Sequence, residues 1–243
     1  MTAKDALEVQ AATLFVTAPN GRMVRSNDPD GSPAPRMHLA IGGGGAVLRL
    51  RDDIDSAVAD KIAALAAQEP PVREPDAMPR FAEDYRVLLG VAASLTAHDF
   101  GVTYRLPHLS PQTPGVRLVA HGTAAGDELV ARIATLGMPR TLQDVGFADL
   151  SHFWAPWCVA LDGEEIASIA FAARLGARGA EIGVTTMTPF RGRGFAAAAT
   201  AGWSALPALQ DRPLFYGTHR DNLSSQRVIA RLGLPFLGVR MQL

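Results

Sequence analysis

The stretch that most constrains this chain runs from Trp157 to Ala172. Two apolar runs, Trp157 to Leu161 and Ile166 to Ala172, flank Asp162-Gly163, a turn pair that joins adjacent antiparallel strands. Any fold must therefore contain this hairpin, and the neighbouring segments set its surroundings. Before it, Val116 to Ala120 reads as a short strand, and Leu129, Ile133 and Leu136 form a helical stripe. After it come a loop from Arg174 to Gly179 and a strand from Glu181 to Thr186. An alanine-rich helix follows from Phe195 to Leu206, then a strand from Leu214 to Thr218. Leu223 to Leu232 reads as a helix closed by Gly233, and Phe236 to Met241 as a last strand. The order is strand, helix, three strands, helix, strand, helix, strand. This predicts an α/β chain of the α+β kind, a mixed sheet with helices, and not the regular alternation of a doubly wound fold.

Two proline-rich runs, Glu69 to Pro79 and Pro107 to Pro114, deny the backbone helical continuity and read as loops or linkers. The second divides the chain into an N-terminal α/β extension, residues 1–114, and a domain of residues 115–243. In the extension, Ala11 to Thr17 and Ala46 to Leu50 are strand-like. Asp52 to Gln68 places Ile54, Val58, Ile62 and Leu65 on one helical face, and Phe81, Tyr85, Leu88 and Leu89 mark a second helix. Gly42 to Gly45 lack the Lys-Ser/Thr pair of a phosphate loop and read as a hairpin turn.

With 48% hydrophobic and 19% charged residues the chain has enough apolar material for a core. Its net charge of -1 argues against a nucleic-acid-coating protein and against a polybasic membrane-surface protein. That average conceals a division. Residues 1–165 carry 14 basic and 21 acidic side chains, whereas residues 166–243 carry 9 and 3. The cationic third calls for an anionic partner. Cys158 is the sole cysteine, which rules out an internal disulfide and a thiolate zinc site and fits a reducing compartment. Lys4, Asp5 and Glu8 interrupt any signal-peptide core, and the longest uncharged stretch, Gly194 to Gln210, falls short of the ~20 apolar residues of a membrane span. The expectation is a cytoplasmic protein. His98, His108 and His121 have no metal-ligand spacing, so no metal is expected.

The sharpest chemical feature is Arg191-Gly192-Arg193-Gly194-Phe195-Ala196, between a strand and a helix. Two glycines allow a tight turn and leave amide N–H groups bare, and the helix N-terminus behind them favours anionic oxygens. Arg191 and Arg193 add forked donors suited to phosphate. An RNA-binding Arg-Gly tract would repeat and would carry an aromatic stacking platform; this one does neither. Some 28 residues on, Asp221-Asn222-Leu223-Ser224-Ser225 opens a helix that ends in Arg231-Leu232-Gly233-Leu234.

Arg191-x-x-Gly194-x-Ala196 after a strand resembles motif A of the GNAT superfamily, the acyl-CoA-dependent N-acyltransferases. Asn222, Ser225 and Gly233-Leu234 resemble that superfamily's second signature. The resemblance covers residues 115–243 and implies the GNAT fold, with central strands that splay apart. It implies that acetyl-CoA enters between the Glu181–Thr186 and Leu214–Thr218 strands. The pyrophosphate would sit on the amides of Arg191, Gly192, Arg193, Gly194, Phe195 and Ala196. The pantetheine would pair with the backbone at Thr186, Met187 and Thr188 like an added strand, and a backbone N–H there would polarise the thioester carbonyl. Asn222 and Ser225 would contact the pantetheine or shape the mouth. An amine acceptor, small molecule or protein, would attack directly after losing a proton.

For that proton the resemblance implies a carboxylate on the motif A strand, Glu181; its alternative is a rim ion pair with Arg174 or Arg178. Tyr216 is the candidate for protonating the leaving thiolate, or else a packed strand aromatic. His219 is a third neighbour, or a loop residue. The sequence departs from the family pattern at Ile229, where many members carry the acidic tyrosine seven residues after the asparagine. Pro189 lies one place later than usual, and the final hairpin looks shortened. The missing tyrosine leaves open a rival reading, a non-catalytic acyl-CoA-binding or regulatory protein. Neither nucleic acid nor membrane is implied as a partner, and homodimer formation stays open.

Overall fold

The computed structural model describes residues 1–111 and 115–243. The end of the Pro107–Pro114 run, and the boundary placed after Pro114, lie outside the described residues. In chain order the elements are α1 (Ala3–Leu14), β1 (Phe15–Thr17), β2 (Met23–Ser26), β3 (Met37–Gly42), β4 (Gly45–Leu50), α2 (Ser56–Ala66), α3 (Ala82–Leu88) and β5 (Phe100–Leu106). They continue as β6 (Arg117–Ala120), α4 (Ala124–Leu136), α5 (Arg140–Gln143), β7 (Trp157–Asp162), β8 (Glu165–Leu175), β9 (Ala180–Thr186), α6 (Phe195–Ser204), β10 (Leu214–His219), α7 (Leu223–Leu232) and β11 (Phe236–Gln242).

Caps fix several of these boundaries. Asp55 accepts from the Ala57 and Val58 amides to open α2, Thr123 accepts from Gly126 to open α4, and Asn222 accepts from Ser225 to open α7. Gly233, at φ +60°, closes α7 in the left-handed region that favours glycine. The Asp162-Gly163 signal does mark a hairpin: Asp162 pairs with Glu165, and Gly163-Glu164 form the loop. The Gly42–Gly45 turn joins β3 to β4. One expectation fails. Ala11 to Leu14 continue α1 and only Phe15 to Thr17 are extended. Thr2 and Asp5 form a reciprocal capping box, and Leu7, Gln10, Ala11 and Leu14 bury one helical face, so the helix runs on to Leu14.

Nine strands form one mixed sheet in the order β4-β3-β11-β5-β10-β9-β8-β7-β6, and β1 and β2 form a separate ribbon. In the large sheet β9 and β10 are parallel and every other described pairing is antiparallel. Strand β5, from the N-terminal part, lies between β10 and β11. Cross-strand register separates the two faces. Trp157, Phe171 and Gly183 line up on one, Cys158, Ala170 and Val184 on the other. The first face is covered by α1, with Val9 and Thr13 against Gly179, and by Phe147 beyond α5, whose ring meets Phe171 at 5.8 Å. The second is covered by α6, where Gly202 comes so close to the Cys158 Sγ that no side chain would fit.

Candidate active site

Parallel strands β9 and β10 pair only at Leu214–Ala180 and Phe215–Glu181. Beyond those residues they diverge, and a cleft of about 850 Å³ opens between them. Residues from both faces of the sheet line it: Asp144 and Val145 from the α1 face, the turn and start of α6 with Arg227 and Arg231 of α7 from the other. The expected divergence of these two strands is thus present.

The turn into α6 has the expected character. Gly192 and Gly194 adopt φ +77° and +91°, conformations that L side chains rarely take. Gly194 is also the N-cap, and α6 begins with no side-chain cap. Its first-turn amides therefore face the cleft, where Gly192, Gly194, Phe195 and Ala196 line the wall. The two flanking arginines diverge. Arg191 lines the cleft and its Nε donates to the Thr186 carbonyl at 3.3 Å. Arg193 points elsewhere: its Nη1 is bound to Asp162 at 2.7 Å, and its guanidinium lies 5.1 Å from the Phe195 ring centre. The side chain staples the turn to the β7–β8 hairpin. In its place Arg231 of α7 lays its guanidinium against Gly194, its Nη1 2.9 Å from where a Cβ would stand, and Arg227 joins it in the lining. Arg231 was not singled out in the sequence; its position four residues after Arg227 on one helix was the available signal.

Along β9, backbone alternation sorts the remaining positions. The Met187 N–H donates to the Ala167 carbonyl, and its own carbonyl accepts from Phe190, so both groups are engaged and the side chain is fully buried. Thr186 is the neighbour whose backbone N–H is directed into the opening. Thr188 is exposed and its carbonyl accepts from the Arg191 N–H. Neither Met187 nor Thr188 lines the cleft.

Tyr216 is buried at the cleft wall, and its hydroxyl donates to Ser225 Oγ at 3.4 Å. Burial raises its pKa above the ordinary phenol value, so the ring stays protonated. Asn222 and Ser225 both line the cleft, Asn222 through its role as the α7 cap. Glu181 lies on the opposite, α1 face and outside the lining. Its Oε2 accepts from Gln10 Nε2 at 2.7 Å, and the same amide nitrogen reaches Thr103 Oγ1 at 3.2 Å. Arg174, one of its expected partners, pairs instead with Asp28 at 3.1 Å. His219 is exposed and stacks edge-on with His98. Ile229, at the position of the missing tyrosine, is buried. Burial pushes the Cys158 thiol up to about 12, leaving it protonated at neutral pH.

This architecture suits a protein that holds an elongated anionic molecule across an opened sheet. Comparison with known proteins finds the following similarities. Residues 120–235, just under half of the chain, match the family model described as an acetyltransferase (GNAT) domain. No curated protein matches. Among solved structures, the chain is similar to a GNAT-family protein from Novosphingobium aromaticivorans, at 20% identity and TM-score 0.38. That match covers 60% of this chain and 65% of the other, just under two thirds. It is also similar to a GNAT-family acetyltransferase from Colwellia psychrerythraea (13% identity, 99% and 96% covered, TM-score 0.45). A GCN5-related N-acetyltransferase-like protein from Streptococcus suis follows (17% identity, both chains covered in full, TM-score 0.43). Among the described residues no helix is long and apolar enough to cross a membrane, and no three His, Cys, Asp or Glu side chains group as metal ligands.

Proposed function

We propose that this protein transfers an acetyl group from acetyl-CoA to the amine of an acceptor, by direct attack within a ternary complex. The observation that carries the reading is the cleft at the diverging β9–β10 pair, lined by the bare amides of the Gly192–Ala196 turn and by Arg191, Arg227 and Arg231. Amides and guanidinium groups together suit the pyrophosphate of the donor, since a helix N-terminus alone contributes only about 0.3–1 kcal/mol per charge. The Thr186 N–H is the donor placed to polarise a thioester carbonyl.

The acceptor enters as an ammonium ion and releases one proton to solvent. Its nitrogen lone pair then forms the bond to the thioester carbon. As the C–S bond breaks, the nitrogen gives up its second proton to solvent and the thiolate takes one from the Tyr216 hydroxyl, which solvent restores. The raised Tyr216 pKa suits a donor that must be protonated at rest. Glu181, held by Gln10 on the far side of the sheet, is assigned to the packing of α1 rather than to proton removal.

The test pairs binding with turnover. Acetyl-CoA and CoA should raise the melting temperature, and thiol release should follow with a panel of amines. Tyr216→Phe should keep the CoA affinity and slow thiol release by about 10²-fold or more. Binding without thiol release from any amine would favour the rival reading of a non-catalytic CoA-binding protein, to which Ile229 points. A melting temperature indifferent to both ligands would overturn the donor assignment.

A further inference from the structure

The cleft is lined by three arginines, Arg191, Arg227 and Arg231, but by one carboxylate, Asp144. The opposite charges enter from opposite faces of the sheet. Arg227 and Arg231 come from α7, beside the start of α6. Asp144 follows α5, three residues before Phe147, whose ring packs on Phe171 and so on the Gly183 face of β9. Thr185, which shares that face of β9, lines the cleft as well. A polyanionic donor is attracted to the arginine end and repelled by a carboxylate, so the Asp144 end is left to the second substrate.

Resting on the acyl-CoA reading of the cleft, we propose that Asp144 docks the acceptor as its ammonium ion and so selects a primary amine on a cationic molecule. Asp144 is a specificity residue here; it holds the nitrogen near the opening before deprotonation. Its present partner does not prevent this. Arg140 Nε binds Asp144 Oδ1 at 2.8 Å one helical turn away, but the Arg140 side chain is 84% exposed, and such a surface pair is readily exchanged. Glu181 cannot substitute, because it is outside the lining and already accepts from Gln10.

The experiment uses the full chain saturated with CoA, and two probes of similar length, 1,4-diaminobutane and 1,4-butanediol. The CoA titration comes first: absent CoA binding would reject the acyl-CoA reading and this proposal with it. With CoA bound, the wild type should bind the diamine about tenfold more tightly than the diol. Asp144→Asn should erase that preference while leaving the CoA affinity within about twofold, since the substitution removes no donor to the phosphates. Arg140→Ala, which frees the carboxylate, should tighten diamine binding and gives a readout independent of the first variant's folding. Equal affinities in the wild type, a preference that survives Asp144→Asn, or diamine binding unchanged in Arg140→Ala would each overturn the assignment.

Discussion

Arg191 and Arg193 are two residues apart, and the backbone between them sends their side chains in different directions. Gly192 at φ +77° and Gly194 at +91° both take conformations that L side chains rarely adopt. Arg191 is left against the cleft, and Arg193 against Asp162 and two phenylalanine rings. Arg231, brought from α7, supplies the positive charge at Gly194. We therefore expect Arg231→Ala to weaken CoA binding by about tenfold, the effect of losing one charge-assisted contact to phosphate. Arg193→Ala should change CoA affinity less and lower the melting temperature more, because it unties a turn. Calorimetric titration and thermal unfolding of both variants check the division; equal losses of affinity would return Arg193 to the phosphate site. The tight turn could be read from sequence because two glycines stand between a strand and a helix, and both take positive φ. The roles of Arg193 and Arg231 could not, because they depend on which of several nearby charges the packed helices bring close. Asp144 was hidden for a similar reason: its helix, Arg140–Gln143, has four residues and too little pattern to signal itself.

At the scale of elements, those that follow an apolar rhythm or carry a cap were readable. Helices α2, α4, α6 and α7 and strands β4 and β6 to β11 lie close to their expected spans. Three of the exceptions have clear physical causes. Helix α1 is masked by its own polar core residues: Gln10 and Thr13 are fully buried, which breaks the apolar stripe, yet Gln10 bonds Glu181 and Thr13 bonds the Val9 carbonyl. Strand β3, Met37-His38-Leu39-Ala40-Ile41-Gly42, is buried on both faces and so lacks the alternation that marks a half-exposed strand. Strand β5 contains Gly101, where a side chain would collide with Arg240 Nε and the Thr218 carbonyl, so it reads as a weak strand while packing as a central one.

Across the whole molecule the N-terminal and C-terminal parts share the middle of one sheet, and this gives the protein an acid-sensitive seam. His38 on β3 is completely buried, with Phe15 edge-on at 5.1 Å, and Gln242 Nε2 of β11 donates to its Nδ1 at 3.1 Å. Burial, then the charges of Arg240 and Arg49, lower its pKa from 6.5 to about 3. In the unfolded chain His38 takes up a proton below about pH 6.5, and in the folded one it does not. Its contribution to stability is thus whole above pH 6.5 and is lost progressively as the pH falls toward 3. One pH unit below 6.5 the loss amounts to about 1.4 kcal/mol. Urea unfolding at pH 7.5 and 5.5 should show a drop larger by about that amount in the wild type than in His38→Gln. Equal drops would mean that His38 titrates alike in both states.

The same seam bears on whether residues 115–243 can stand alone. Strand β5 pairs with β10 from Leu106 to Gly101 and with β11 from Tyr104 to Phe100, so it joins the strand that forms one cleft wall to the one that follows α7. Helix α1 adds the apolar cover of Phe215, and Gln10 satisfies Glu181. Removing residues 1–114 would leave β10 as a bare edge along its whole length and strip β11 of both neighbours, β3 and β5. Tyr216, which lies in that β10 edge, would lose its register partner Tyr104 together with its burial. We expect the isolated 115–243 fragment to aggregate or to show no cooperative melting, and co-expression with residues 1–114 to restore both a cooperative transition and CoA binding. A fragment that melts cooperatively and binds CoA unaided would show instead that the N-terminal strands are an addition to a self-sufficient domain, and that the β10 edge tolerates exposure.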